Sequence, residues 1–164
     1  MNSRNIQVKS DIANAFIELL KSNEFDKISV VDIISKAQVA RNSFYRNFEN
    51  KDDILCYYIG KETDEWLSQT EENYITLTRD GLKKYIGFLF THMYEYRDIV
   101  DILTRNGKIH LLENEFDKRF FARLSEMYSP WEIAYKVGGV YKLFRYWVET
   151  GYEKTPREVA EYIK

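Results

Sequence analysis

The sequence predicts an all-α protein whose N-terminal part is a three-helix helix-turn-helix domain. The chain has only 2 Pro and 7 Gly in 164 residues, and no strand-like alternation of apolar and polar residues persists along it. Apolar side chains recur at helical spacing from the start, at Ile12, Phe16 and Leu20. Residues 29–51 then read as a helix, a three-residue turn, a second short helix and the beginning of another.

Helix boundaries in the first third follow from capping residues. Ser29 is a good N-cap, and Asp32 stands three residues later in the capping-box position. Residues 38–40 are the predicted turn, and Asn50 caps the helix that follows, which carries acidic residues in its first turn. The predicted helices here cover residues 6–22, 30–37, 41–48 and 51 to about 74.

The rest of the chain is predicted to be helical as well. Ser129 is an N-cap before Pro130, Gly151 suits a C-cap, and Pro156 lies in the first turn of a last short helix. We expect a change of role near residue 50, within a chain that shows no linker. The predicted domains are 1–50 and 51–164, and the later helices are 79–94, 96–104, 108–127, 130–150 and 155–164.

Composition excludes several classes of protein. The single Cys56 rules out an internal disulfide and fits a reducing cytoplasm, where we expect the protein to reside. No signal peptide is visible, and no apolar run approaches the roughly 18 residues that would span a bilayer. The net charge of −2 argues against indiscriminate nucleic-acid binding, but residues 1–51 hold 8 Lys and Arg against 6 Asp and Glu. The basic excess therefore lies in the segment with the helix-turn-helix pattern.

The second helix of that pattern ends in Ser-Phe-Tyr-Arg-Asn-Phe, residues 43–48. Aromatic side chains that can seat a helix alternate there with hydrogen-bonding side chains that can reach base edges or phosphates. A helix-turn-helix needs this combination, because one helix braces against the DNA backbone while the other enters the major groove.

The order of these features resembles the tetracycline-repressor (TetR) family of transcriptional regulators. The resemblance covers about residues 8–56 and rests on the apolar first helix, on residues 25–33, on Ala37-Gln38-Val39, on residues 43–48, and on Lys51 with Ile54-Leu55. It is looser in the C-terminal part, where Gly138-Gly139, Trp147, Gly151 and Pro156 look like the last two helices of a family subgroup.

The resemblance implies a set of DNA-contacting residues. Arg can bond guanine in two places, Asn can bond adenine, and Tyr or Lys can hold a phosphate, so the side-chain chemistry agrees. Tyr45 could alternatively be a core ring with its hydroxyl at the surface. The positions that match base contacts are Arg41, Asn42, Ser43, Tyr45 and Asn47, and those that match phosphate contacts are Ser29, Tyr45 and Lys51.

Three residues depart from the family pattern. Gln38 stands where Gly is usual in the turn, which costs about 1 kcal/mol if the backbone there is left-handed. Ala40 replaces the usual Ser or Thr cap, and Asn47 replaces a common His. These departures bear on the operator more than on the fold.

Catalytic and metal sites are not expected. His110 with Glu113 is half of a metal site that no Cys cluster completes. Asp98 and Asp101 share one helix face, but a solvated face explains them better than acid-base catalysis. We expect no metal, no cofactor and no enzyme activity.

The resemblance also implies a homodimer and an effector. The effector would be a small apolar or aromatic molecule, and the dimer would form a four-helix seam through the helix of residues 130–150 and the last short helix. The expected cavity lining is Trp66, Phe88, His92, Met93 and Phe120, and the expected seam is Val137, Val140, Tyr141, Phe144, Trp147, Val148, Val159, Tyr162 and Ile163.

The leading interpretation is a homodimeric repressor that an effector releases from a near-palindromic double-stranded operator. Each subunit would place its reading helix in one of two successive major grooves, about one helical turn apart. An alternative is a TetR-like co-activator that works through a protein partner. A small all-α enzyme has almost no support, since we find no catalytic constellation.

Overall fold

The computed structural model describes residues 3–69 and 76–163 of the chain. Within these residues the structure is helical and contains no strand, which confirms the predicted all-α class. The predicted part of the fourth helix beyond residue 69 lies outside the described residues. The helices are α1 (Ser3–Leu20), α2 (Val30–Ala37), α3 (Arg41–Asn47), α4 (Lys51–Gln69), α5 (Arg79–Glu95), α6 (Arg97–Arg105), α7 (Ile109–Leu124), α8 (Pro130–Glu149) and α9 (Pro156–Ala160), with a 3-10 turn at Phe25–Lys27.

The helices pack into two compact units. Among the described residues, unit 1 takes 3–64 and 102–115, and unit 2 takes 65–69, 76–101 and 116–163. Unit 1 therefore contains the helix-turn-helix together with a segment from much later in the chain. The predicted boundary near residue 50, between a DNA-binding domain and an effector-binding and dimerisation domain, concerns function and stays a prediction.

The core of unit 1 forms where α1 packs against α2 and α3. Phe16, Ile33 and Phe44 are wholly inaccessible to solvent, one from each of these helices. Phe25, in the 3-10 turn, closes the core with its ring edge-on to Phe16 at 5.7 Å between centroids. Burial of these side chains is what holds the short helices α2 and α3 in place, because helices of seven or eight residues are not stable alone.

The late segment of unit 1 is bonded to the loop that precedes α2. The guanidinium of Arg105 donates to the carbonyl oxygen of Leu20 at 2.5 Å. Asn106 accepts a hydrogen bond from the backbone N–H of Phe25 at 2.9 Å, across 81 residues of sequence. Lys108 pairs with Asp52 at 2.8 Å. These bonds tie the α6–α7 turn to the base of the helix-turn-helix.

The turn after α2 stores backbone strain at Gln38. This residue is the C-cap of α2 and has φ 54° and ψ 42°, which is the left-handed conformation. The structure thus confirms the condition under which a non-glycine residue costs energy there.

We expect Gln38→Gly to raise the free energy of unfolding by about 0.5–1 kcal/mol, because glycine adopts this conformation without a Cβ clash. Urea unfolding followed by circular dichroism measures the change. Gln38→Ala is the matched control, since it keeps the strained Cβ and should give no gain. A destabilised Gln38→Gly variant would contradict the strain argument.

Unit 2 is built around aromatic side chains on α5 and α8. Phe90 lies 4.9 Å from Trp147 between ring centroids, and both are buried. The Trp147 indole N–H donates to the carbonyl oxygen of Lys154 at 2.6 Å, and Tyr152 donates to Asp101 at 2.6 Å. The last helix, α9, packs on α5 and ends at Ala160, earlier than predicted.

Candidate DNA-binding interface

Two phenylalanines seat α3 on unit 1. Phe44 is fully buried and Phe48, its C-cap, is almost so. Their rings lie 6.2 Å apart, and Phe48 also packs edge-on to Tyr57 of α4 at 5.8 Å. Because both rings point inward, the opposite side of α3 must face solvent.

The outward side of α3 carries exposed hydrogen-bonding side chains, several of them predicted base contacts. Arg41, Asn42, Tyr45 and Arg46 are all exposed, Tyr45 to 53 %. The Arg41 guanidinium lies over the Tyr45 ring at 5.8 Å, one turn along the helix. Tyr45 is therefore a surface ring in this structure, and its stacking holds Arg41 along the exposed side.

Arg46 was absent from the predicted contacts, although it is exposed in the last turn of α3. Its charge adjoins the predicted contact positions on both sides. The sequence did show a basic residue within α3 at this position, but the resemblance to the family did not mark it as a DNA contact.

Two of the predicted base contacts are less accessible than the others. Ser43 is half-buried, and Asn47 is half-buried with its amide N–H₂ donating to the carbonyl oxygen of Ser43 at 2.7 Å. Asn47 thus caps its own helix in the free protein, and its contact with a base stays a prediction.

Ser29 begins α2 in the predicted capping box. Its hydroxyl donates to the Asp32 carboxylate at 2.6 Å and accepts from the backbone N–H of Asp32 at 3.2 Å. These hydrogen bonds lower the pKa of Asp32 below its ordinary value. Ser29 is exposed, so its predicted contact with a phosphate remains geometrically open.

Lys51 faces the protein interior. Its ammonium donates to the carbonyl oxygens of Phe25 at 2.5 Å and Ile28 at 3.0 Å, and it lies 4.3 Å from the centre of the Phe25 ring. The Lys108 ammonium lies 4.4 Å from the same ring. These two bonds use two of the three N–H donors of the ammonium, and the contact of Lys51 with a phosphate stays a prediction.

Four of the nine predicted dimer-seam residues are buried within the single chain. Val140, Phe144 and Trp147 of α8 and Val159 of α9 are at most 6 % exposed. Their burial needs no second copy, because α5 and the chain's own loops cover them. Of the other predicted seam residues, Val137, Tyr141, Val148 and Ile163 are half-buried and Tyr162 is exposed.

The solvent-facing side of α8 is unusually aromatic. Trp131 is 87 % exposed, Tyr135 81 % and Tyr146 62 %. Gly138 and Gly139 lie between them, and a Cβ built on either would meet open space. The apolar periodicity of α8 does not tell which side of the helix the chain itself covers.

All five predicted cavity residues form an aromatic cluster or lie beside it, since Phe120 packs edge-on to Trp66 at 6.3 Å between ring centroids. The Trp66 ring stacks on Phe88 at 5.4 Å and on His92 at 5.1 Å, with interplanar angles of 21° and 19°. Partial burial lowers the pKa of His92 below its ordinary value. Met93 is buried on the same helix.

Phe120, the fifth of these residues, lines a small apolar cavity in unit 2. The cavity is about 20 Å³, room for about one water molecule. Its walls also include Tyr85, whose buried hydroxyl has a pKa well above the ordinary value because burial penalises the phenolate. The remaining wall residues are Thr76, Leu77, Leu82, Leu89, Leu124, Val137, Val140 and Tyr141.

Two kinds of site are absent from the described part of the chain. No cluster of His, Cys, Asp and Glu there could hold a metal ion. No helix there is both long enough and apolar enough to cross a membrane.

Comparison with known proteins supports the reading of α2 and α3 as a DNA-binding motif. Residues 12–57 match the family described as bacterial regulatory proteins, tetR family. The chain is also similar to the HTH-type dhaKLM operon transcriptional activator DhaS of Lactococcus lactis subsp. lactis (strain IL1403), with 31 % identity over 71 residues. That match covers 43 % of this chain and 38 % of the relative. No solved structure matches.

Proposed function

We propose that this chain is a TetR-family regulator, since residues 12–57 match that family, and that it is a homodimer that binds a specific, near-palindromic operator. Each subunit inserts α3 into a major groove, and two-fold symmetry puts the two grooves about one helical turn apart. The protein then acts in the cytoplasm as a regulator of transcription and has no enzymatic role.

The observation that carries this proposal is the two-sided character of α3. Phe44 and Phe48 anchor one side, while Arg41, Asn42 and Tyr45 are exposed on the other. Arg and Asn are the side chains that read guanine and adenine edges in two-point hydrogen bonds. A seven-residue helix held rigidly by its aromatic side presents those donors in a defined register.

The test is selection of bound duplexes from a random DNA pool at moderate salt, followed by sequencing. Enrichment of a palindrome with half-sites about one turn apart is the expected result. If the folded, dimeric protein enriches no sequence, the proposal that it binds an operator without a partner protein is overturned.

On the selected site, Arg41→Ala should weaken specific binding by about 1–3 kcal/mol and relax the preference at one position of each half-site. Fluorescence anisotropy with the selected and scrambled duplexes measures both effects. Arg79→Ala is the matched control, since Arg79 is exposed in unit 2 and should leave affinity unchanged. Unchanged affinity in Arg41→Ala would remove Arg41 from base recognition.

We also propose that a small neutral effector, apolar or aromatic, binds in unit 2 and releases the DNA. The walls of the Phe120 cavity are almost wholly apolar, but its 20 Å³ admits no such molecule as it stands. An effector must therefore bind a conformation in which the cavity is wider. By linkage it weakens DNA binding only as far as it prefers that conformation.

Our first candidate for the regulatory role is repression of transcription, and the second is activation. The name of the lactococcal relative, a transcriptional activator, favours the second. A reporter gene behind the selected operator distinguishes them, because loss of this protein raises expression under repression and lowers it under activation. A co-activator that needs a protein partner would show weak operator binding alone and tight binding once the partner is added.

A further inference from the structure

We propose that Tyr85 recognises the effector through a hydrogen bond, and that the effector is a neutral, mostly apolar molecule with one acceptor oxygen of the carbonyl type. This inference rests on the proposed effector site in unit 2 and names the class of molecule that the site takes. Like any effector of this cavity, the molecule binds its wider conformation, because the 20 Å³ of the free protein holds about one water molecule.

The Tyr85 hydroxyl is buried without a hydrogen-bond partner. The residue is 7 % exposed, and no group among residues 3–69 and 76–163 bonds to its hydroxyl oxygen. Its ring is held in place, since it packs edge-on to Phe120 at 5.4 Å between centroids and lies 6.3 Å from Trp66. A buried hydroxyl that makes no hydrogen bond lowers the stability of a protein and is rare, and a ligand that bonds to it would explain its presence.

Other polar groups at the same cavity do have partners. The backbone N–H of Leu77 donates to the Tyr128 hydroxyl at 3.0 Å, and the carbonyl oxygen of Leu77 accepts from the Lys136 ammonium. Leu77 and Tyr85 both line the cavity. The fold therefore pairs the backbone groups of one wall residue, whereas nothing in the described chain pairs the hydroxyl of the other.

The surroundings of Tyr85 favour a neutral ligand. None of the described residues that line the cavity is charged. Burial raises the pKa of Tyr85 well above its ordinary value, and the neighbouring Tyr141 phenol raises it further, so the hydroxyl stays protonated and can donate to an acceptor oxygen. Arg123 acts on this pKa in the opposite direction, but its guanidinium lies outside the cavity walls and donates to the carbonyl oxygen of Leu67 at 3.3 Å.

Calorimetric titration of the full chain with three aromatic probes tests the proposal. Acetophenone carries the acceptor oxygen, ethylbenzene lacks it, and benzoate carries a negative charge. Acetophenone should bind at least about fivefold more tightly than ethylbenzene, as one buried hydrogen bond would provide. A cavity without that bond would show the opposite order, because burial of an unpaired carbonyl is unfavourable. Equal or weaker binding of acetophenone, tighter binding of benzoate, or no binding of any probe would overturn the proposal.

Tyr85→Phe removes the hydroxyl alone and should reverse the order of the two neutral probes. Tyr128→Phe is the matched control, since Tyr128 lies outside the cavity walls, and it should keep the order of the unmodified chain. Without a probe, Tyr128→Phe should lower the unfolding temperature by about 2–4 °C through the lost bond to Leu77, whereas Tyr85→Phe should not lower it. A lower unfolding temperature in Tyr85→Phe would show that the hydroxyl already has a partner and would overturn the proposal.

These measurements need no DNA, which separates this inference from the proposed function. A preference for acetophenone that disappears in Tyr85→Phe supports the inference even if the chain selects no operator. If acetophenone binds as expected but leaves operator affinity unchanged, release of the DNA by this class of molecule is overturned and recognition by Tyr85 stands.

Discussion

Phe44→Ala should lower the free energy of unfolding by about 3–5 kcal/mol, the range seen when a fully buried phenylalanine is truncated. Phe44 has no exposed surface, and its ring packs edge-on to Tyr45 at 5.3 Å and near Phe48. Truncation would leave a cavity beneath a helix of only seven residues. Operator binding should fail with it, since α3 has little else to hold its orientation.

Urea unfolding measured by circular dichroism gives the free energy, and Tyr45→Ala is the matched control. Tyr45 is the next residue of the same helix and is 53 % exposed, so its truncation should cost less than about 1 kcal/mol. Phe44→Leu should fall between the two. Equal losses at positions 44 and 45 would show that α3 is not seated by its inward ring.

Lys51→Met should lower the free energy of unfolding by about 3 kcal/mol, because two charge-assisted hydrogen bonds are lost together. The ammonium of Lys51 bonds the carbonyl oxygens of Phe25 and Ile28, which lie just before α2. Methionine keeps the length of the side chain but removes the ammonium from both carbonyls, so that Phe25 keeps only the backbone N–H of Ile28 at 3.4 Å. Lys27→Met, at an exposed position in the same loop, is the matched control and should change little.

The same variant decides whether Lys51 also contacts a phosphate. Each phosphate contact by a lysine contributes about 1 to the slope of log affinity against log salt concentration. If Lys51 serves only as a carbonyl clamp, the salt dependence of operator binding stays unchanged in Lys51→Met. A slope whose magnitude falls by about 1 for each subunit would support the predicted contact between Lys51 and a phosphate.

The helix boundaries were predictable because they depend on neighbouring residues. Ser29, Ser129 and Thr155 each form a capping box with the carboxylate three residues on. The helices after Ser29 and Ser129 begin at the predicted residues, and the last helix begins at Pro156, one residue later than predicted. For Gln38 the departure from glycine predicted a cost only if the backbone there is left-handed, and its φ of 54° meets that condition. These are local interactions that a sequence displays directly.

Which side of a helix a chain covers with its own residues was not predictable in the same way. Phe144 and Trp147 are as apolar as a dimer seam requires, yet α5 of the same chain packs on them. Periodicity identifies an apolar side without naming its neighbour. The exposure of Trp131 and Tyr135 follows only from the packed structure.

The direction in which a side chain points was also not predictable from the sequence. Lys51 and Asn47 suit DNA by residue type, but in the folded chain each is bonded to backbone carbonyl oxygens. Lysine and asparagine donate equally well to a carbonyl and to a nucleic acid. Only the position of the loop before α2, set by contacts far along the sequence, determines which partner Lys51 takes in the free protein.

The bond between Phe25 and Asn106 has a consequence for how the protein is made. The two residues are 81 apart in sequence, an interval that takes roughly 4–16 s to translate at about 5–20 residues per second. During that time α1 to α4 have emerged without the α6–α7 turn that ties down their loop. A nascent chain that ends before that turn would therefore lack the bonds that hold the loop before α2. In the proposed function, only complete chains would then bind the operator at full strength.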